Sequence, residues 1–272
     1  MIDIHNHMLP AIDDGSRDWE QSLEMAWLAV EDGIEAVVCT PHWGYFFYEN
    51  SRSDILRTYQ LLREKLEDRR IPLKIYPGAE LHFHQDIPRR IWDETALTLN
   101  DTGRYALIEL PHESLPENME RLFGSLLYQK VIPVISHPER NAGFIRNPQR
   151  LLKLIEMGAL AQITASSLLG RFGIEIQKFT VFLMEHRMAH VLATDAHGSK
   201  TRSPHLAAAH REAERIVGKE AARAMVSDTP LKIIRGDSVG SVEPVQFDLG
   251  TYSPLWKRAL SCLLPGRLSR FQ

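Results

Sequence analysis

The feature that most constrains this chain is an alternation that runs from its first residues to about residue 236. Short apolar runs of strand length alternate with amphipathic runs of helix length. The strand-like runs are Ile2–Ile4, Ile34–Cys39, Leu73–Tyr76, Tyr105–Leu110, Val131–Ile135, Ala161–Ile163 and Ala189–Ala193. Between and after them the spacing predicts helices from near Asp18 to Gly33, Ser53 to Arg69, Glu117 to Gln129, Pro148 to Met157, Ile174 to Glu185, Leu206 to Val217 and Glu220 to Val226. In the first helix Asp18 is a cap residue with Gln21 set for a capping box, and Trp19, Leu23, Ala26, Trp27 and Val30 share one face. Strands joined by crossover helices lie parallel in one sheet. About seven such units in 272 residues suit a single α/β barrel, with residues 237–272 an extension that loses the alternation.

The strand ends carry the chemistry. His5 and His7 follow the first strand with one residue between them, so both imidazoles leave on one side, and Asp14 returns in the Asp13-Asp14-Gly15 turn. His42 follows the second run, Glu80 the third, Glu109 ends the fourth, His137 follows the fifth, and Asp195 and His197 follow the last. In a parallel barrel the carboxyl ends of the strands meet at one face, which is where residues from different strands can act together. Five histidines and four carboxylates there exceed what one ion with four to six positions accepts, so two or three divalent ions bridged by carboxylates are expected. Imidazole and carboxylate suit manganese, iron and zinc alike. His82 and His84 repeat the one-residue spacing after Glu80, and we read them as mouth or surface residues; His112, His186, His190, His205 and His210 have ordinary surface, strand or helix readings.

Several motifs in this set resemble a known family. The stretches MIDIHNH (1–7), DDG (13–15), TPH (40–42), GAE (78–80), SHPER (136–140) and TDAH (194–197) are similar to the PHP (polymerase and histidinol phosphatase) superfamily. SHPERN (136–141), ITASSLLGRFG (163–173) and DAHGSKTRSP (195–204) narrow the resemblance to the bacterial manganese-dependent protein-tyrosine phosphatases of capsule and exopolysaccharide operons, over roughly residues 1–236. The resemblance implies a distorted seven-stranded (β/α) barrel with a trinuclear metal site built from the nine residues above. It also implies that Arg140 and Arg202 hold the phosphate, and a guanidinium fork does match phosphate oxygens. The expected chemistry is in-line attack by a metal-bridged hydroxide on phosphotyrosine of a protein, a membrane tyrosine autokinase being the expected partner. The loop Trp43–Tyr48 either frames the phenyl ring or packs over the barrel mouth. The alternatives are a small-molecule phosphoesterase such as a histidinol-phosphate phosphatase, and a non-catalytic kinase-binding regulator.

Other chemistries lack their residues. Thiolate phosphatases need Cys and Arg separated by five residues, and that position after Cys39 is Tyr45; Cys262 and Arg267 are separated by only four. Two distant cysteines form no disulfide framework. A net charge of −3 carries no nucleic-acid footprint. With no signal-peptide pattern and no membrane-length apolar run, the expected location is the cytoplasm, at the inner face of the membrane through the partner. The segment Tyr252–Gln272 is basic and carries Trp256, Leu260, Leu263 and Leu264, which reads as a short helix packing on the barrel or on a partner, or as a membrane-surface segment. Some relatives form rings through paired arginines in the first helix; none stand here, so ring assembly does not carry over and a homo-oligomer stays open.

Overall fold

The computed structural model describes residues 1–44, 48, 50–240 and 243–247. Among these, nine strands form two parallel sheets, of order β1-β2-β4 and β3-β5-β6-β7-β8-β9. The first holds β1 (Ile2–Asn6), β2 (Ala36–Cys39) and β4 (Lys74–Pro77); the second holds β3 (His42–Trp43), β5 (Glu80–His82), β6 (Tyr105–Glu109), β7 (Ile132–Ser136), β8 (Leu160–Thr164) and β9 (Val191–Ala193). β6 and β8 are buried along their whole length, as expected of parallel strands covered on both faces.

The sequence leads one to expect a single ring of seven strands. The parallel α/β fold is there, but two of the runs are broken. β2 stops at Cys39 and resumes as β3 after Thr40-Pro41, while β4 stops at Pro77 and resumes as β5 after Gly78-Ala79. Pro41 and Pro77 have no amide hydrogen to continue a ladder, so both runs are interrupted there. They pair with each other on either side, β2 with β4 and β3 with β5, while β1 pairs with β2 before the break and β6 with β5 after it. A Cβ on Gly78 would come within 2.9 Å of Val38 Cγ1, which is why this crossing needs glycine. On the far side of β1, Asp195 N donates to the His5 carbonyl (2.9 Å) and His7 N to the Ala196 carbonyl (2.8 Å), so the chain beyond β9 lies against β1.

Two apolar layers follow from the two-residue strand period. Ile4, Val38, Tyr105, Leu107, Val134 and Val191 form an inner cluster, joined by Ile233 and Ile234 of α11 (Thr229–Arg235). Leu107 belongs to that cluster while Glu109, two residues on and on the same side, reaches the cavity described below. Outside, α1 (Trp19–Glu31), α2 (Arg52–Asp68), α4 (Met119–Tyr128), α6 (Pro148–Glu156), α8 (Ile174–Glu185) and α9 (Ala207–Val217) cover the sheets, with boundaries close to those predicted. The predicted helix near Glu220–Val226 is there as α10 (Lys219–Arg223). The short helices α3 (Ile87–Trp92), α5 (Ala142–Arg146) and α7 (Ala165–Leu168) are not legible from periodicity, being no longer than six residues.

α1 departs from its predicted face. Trp27 is 44% exposed, whereas Ser22 and Met25 are buried, and Ser22 Oγ donates to the Met8 carbonyl at 2.7 Å. Asp18 caps the helix by accepting from Gln21 N (2.8 Å), but the Gln21 amide oxygen accepts from Arg17 N instead of closing a capping box on Asp18. The first part of the extension is tied to the body: Tyr105 Oη donates to the Asp237 carbonyl, Val239 N donates to Tyr105 Oη, and Phe247 packs edge-on against Phe182. Trp256 and the rest of the basic segment, and Cys262, lie outside the described residues.

The turn that returns Asp14 to the site depends on Gly15, where a Cβ would sit 2.1 Å from the His7 carbonyl oxygen. Backbone cannot yield that much, so Gly15→Ala should cost about 3 kcal/mol or more. Chemical denaturation against the unsubstituted protein measures it, and an unchanged midpoint contradicts this packing.

Candidate functional site

All nine predicted residues meet at the carboxyl ends of the strands. His5 lies in β1, His7 just after it, His42 in β3, Glu80 in β5 and Glu109 at the end of β6; His137, Asp195 and His197 follow β7 and β9. Asp14, His42, Glu80, Glu109, His137, Asp195 and His197 line one cavity of about 290 Å³, together with Tyr48, His112, Arg140 and Arg202. His5 and His7 lie against it, fully buried. His137, Asp195 and Arg202 take φ values of 32°, 52° and 48°, a left-handed conformation uncommon for non-glycine residues.

Donor atoms gather in three overlapping groups: His7, Asp14, His42 and His197; His5, His7 and Glu80; and His42, Glu80 and Glu109. Within each, the donors lie within 4.8 Å of one another. His7, His42 and Glu80 belong to two groups each. Asp195 Oδ1 stands 3.4 Å from His5 Nε2, and His137 Nε2 stands 3.2 Å from Glu80 Oε1.

The donor set fits a cation on two counts. Glu80 is buried, and neither carboxylate oxygen accepts a hydrogen bond among the described residues; imidazole nitrogens surround it at 3.1 to 3.6 Å. A buried carboxylate left that way is costly unless positive charge sits beside it. Second, His5 Nε2 and His7 Nε2 face each other at 3.2 Å, while their Nδ1 atoms lie 2.8 Å from Gln162 Oε1 and 2.7 Å from Asp13 Oδ2. Two nitrogen lone pairs at that distance need a proton or a cation between them.

The electrostatics agree. Burial opposes charging of His5, but the Glu80 and Asp195 carboxylates outweigh it and hold this group up at about 9. Burial likewise opposes charging of His42, yet Asp14 and Glu80 push it up to about 12. Glu80 stays well below the ordinary carboxylate range against its burial, because His5, His137 and His42 face it. His7, buried and beside His197 and His42, is held well below the usual imidazole value.

Both arginines are in the cavity, and both are engaged. Arg140 Nη1 and Arg202 Nη2 donate to the same oxygen, Asp195 Oδ2, at 2.7 and 2.6 Å. Arg140 makes no pair with its neighbour Glu139, which is buried and accepts from Thr164 N (2.9 Å) and Ser167 Oγ (2.6 Å). Of the loop Trp43–Tyr48, Trp43 belongs to the apolar core with the Arg90 guanidinium over its ring, whereas Tyr48 lines the cavity and stacks near His42; residues 45–47 lie outside the described residues.

His112, expected at the surface, lines the cavity and stacks on His137 with ring centroids 5.5 Å apart. His82 stands 3.5 Å from Glu109 at the cavity's edge, and His84 is exposed beside Asp86. Sequence reading passed over the supports: Asp13, Gln162, and Asp3, whose buried carboxylate accepts from Thr194 N, Thr194 Oγ1 and Asn6 Nδ2. An acid inside the apolar strand Ile2–Ile4, and a second acid beside Asp14, were the available signals. Cys39 is buried in the core, and burial raises its thiol further, so it is no nucleophile.

Residues 1–235 match the family of capsular polysaccharide synthesis proteins CpsB/CapC. The chain belongs to this family. It is 40% identical over 220 residues to the tyrosine-protein phosphatase YwqE of Bacillus subtilis, a span of 81% of this chain and 86% of that one. The tyrosine-protein phosphatase CpsB of Streptococcus agalactiae serotype V is 28% identical over 240 residues, 86% of this chain and 98% of that one. Among solved structures, one from the work on YwqE of Bacillus subtilis and CpsB of Streptococcus pneumoniae, described as unique metal-dependent tyrosine phosphatases, superposes with a TM-score of 0.88 at 37% identity. It covers 91% of this chain and 100% of that one. The cavity of this CpsB/CapC chain thus sits in a fold closely shared with those enzymes.

The raised imidazoles set a pH dependence. A group lifted from 6.5 to about 9, as His5 is, stabilises the cation-free fold fully below pH 6.5 and loses that contribution as pH rises through about 9. A divalent cation competes with the same protons, so its binding near neutral pH should release roughly one to two protons and strengthen as pH rises. Titration calorimetry in two buffers of different ionisation heat reads this directly; heats independent of buffer contradict it.

Proposed function

We propose that this chain is a metal-dependent protein-tyrosine phosphatase acting in capsule or exopolysaccharide synthesis. The observation that carries it is the gathering of five histidines, four carboxylates and two arginines at one cavity, in a member of the CpsB/CapC family. The nine residues His5, His7, Asp14, His42, Glu80, Glu109, His137, Asp195 and His197 would hold two or three divalent ions, manganese by the resemblance in sequence, with Glu80, His7 and His42 at the overlaps. Divalent ions bound there supply Lewis acidity toward phosphoryl oxygens and a nucleophile at neutral pH.

The chain's own groups do the rest. Arg140 and Arg202, held on Asp195 Oδ2 at the cavity wall, can turn N–H donors toward a phosphate, whose three oxygens accept a guanidinium fork better than one shared carboxylate oxygen does. The same donors stabilise the charge that builds on those oxygens in the transition state. Tyr48, at the mouth and stacked near His42, is placed to flank a phenyl ring. A phenolate leaves with an unperturbed pKa of about 10, so a strong general acid is not required.

The finer structural expectations belong to the same reading. The two sheets act as one distorted seven-stranded barrel of residues 1–236, supported by the continuity of β2 with β3 and β4 with β5, and by the bridge between Asn6 and Ala196. Residues 237–272, where the sequence loses its alternation, are an extension of that unit in sequence. The protein substrate is a membrane tyrosine autokinase, met at the inner face of the membrane; no helix among the described residues is long and apolar enough to cross one.

Phosphate release from a phosphotyrosine peptide, with phosphoserine and histidinol phosphate alongside and manganese present or absent, tests the reading. Manganese-dependent activity confined to phosphotyrosine is expected, and Arg202→Ala or Arg140→Ala should lower kcat/KM about 100- to 1000-fold. Preference for histidinol phosphate moves the enzyme to the metabolic branch, and no hydrolysis by metal-loaded protein leaves a binding regulator.

A further inference from the structure

Asp13 and Asp14 are adjacent in one turn and face opposite ways. Asp14, about half exposed, looks into the cavity, with Oδ1 3.3 Å from His42 Nε2 and 3.4 Å from His197 Nε2. The Asp13 side chain is fully buried behind the site. Its Oδ1 accepts from Gly15 N at 2.9 Å, and its Oδ2 accepts from His42 N at 3.0 Å and meets His7 Nδ1 at 2.7 Å. Two of these three partners are backbone amides, which can only donate, so the carboxylate serves as an acceptor.

We propose that Asp13 is a positioning residue of the centre: it locks the His7 imidazole as its Nδ1–H tautomer and tethers the His42 backbone, so one carboxylate sets two donors from different strands. The proposal rests on the reading that the cavity holds divalent cations. With the Nδ1 proton fixed on Asp13, the His7 Nε2 lone pair is directed at the place where Glu80 Oε2 and Asp195 Oδ1 each stand 3.6 Å away. Without that acceptor the ring can rotate or carry its proton on Nε2, where it blocks a cation. The His42 tether matters equally, because β3 is only two residues long and begins immediately after Pro41. Carboxylates that hold the outer nitrogen of a metal-binding histidine typically alter metal affinity by about 10- to 100-fold when removed.

Two measurements test this, neither of them catalytic. Imidazole ¹⁵N NMR of the metal-free wild-type protein should show His7 as the Nδ1–H tautomer. Manganese titration calorimetry of Asp13→Ala should show affinity lowered about 10- to 100-fold with an unchanged far-ultraviolet circular dichroism spectrum. Asp13→Asn keeps one acceptor oxygen and should fall between the two. An Nε2–H tautomer in the wild type, or wild-type manganese affinity in Asp13→Ala, overturns the proposal; if the variants do not fold, the wild-type tautomer decides alone. Metal binding by a wild-type protein that hydrolyses no phosphotyrosine removes the phosphatase reading and leaves this one standing.

Discussion

The structure turns on one buried carboxylate. Glu80 is almost fully enclosed, its oxygens accept no hydrogen bond among the described residues, and three imidazoles, of His5, His42 and His137, stand within 3.3 Å of it. Taking a carboxylate out of water without hydrogen bonds is strongly unfavourable, and only concentrated positive charge offsets it. Each histidine that crowds Glu80 is delivered by a different strand run, so the charge balance of the cavity and the parallel order of the strands depend on each other.

A ring of acids and amides beneath the cavity holds that arrangement. Asp3 pins the Thr194 backbone and the β1 end, which fixes the left-handed residue Asp195. Glu139 ties the turn after His137 to β8 and α7 through Thr164 and Ser167, which leaves Arg140 free of its neighbour and able to reach Asp195. Gln162 and Asp13 take the outer nitrogens of His5 and His7. These groups spend their hydrogen-bonding capacity on orientation, and the strained φ values at His137, Asp195 and Arg202 persist because the surroundings over-determine them.

Much of the fold was legible. The run Ile174–Glu185 forms a helix with the predicted ends, and Tyr105–Glu109 and Ile132–Ser136 form strands within a residue of prediction, because the first is an amphipathic run of helix length and the other two are short continuous apolar runs. The division into two sheets was not legible: proline and glycine signal a break, but not which strand pairs beyond it. Trp27 misled for a related reason, since periodicity orients a helix only to within a residue and the contact of Ser22 with Met8 fixes the rotation. His112 reads as a surface histidine until the chain folds its loop over His137.

The sequence by itself determined the fold class and that nine ligand-type residues gather at one face, because both follow from local period: strands deliver side chains two by two to one face, and parallel strands share a carboxyl end. It also excluded thiolate chemistry through spacing alone. Tertiary structure decided what each residue meets there. That Arg140 and Arg202 share one oxygen of Asp195, that Asp13 faces away from the cavity while Asp14 faces into it, and that Trp43 is core while Tyr48 is mouth are all matters of direction in space. Adjacent residues in a turn have no periodicity to aim them, so only long-range contacts, His42 N on Asp13 among them, set where they point.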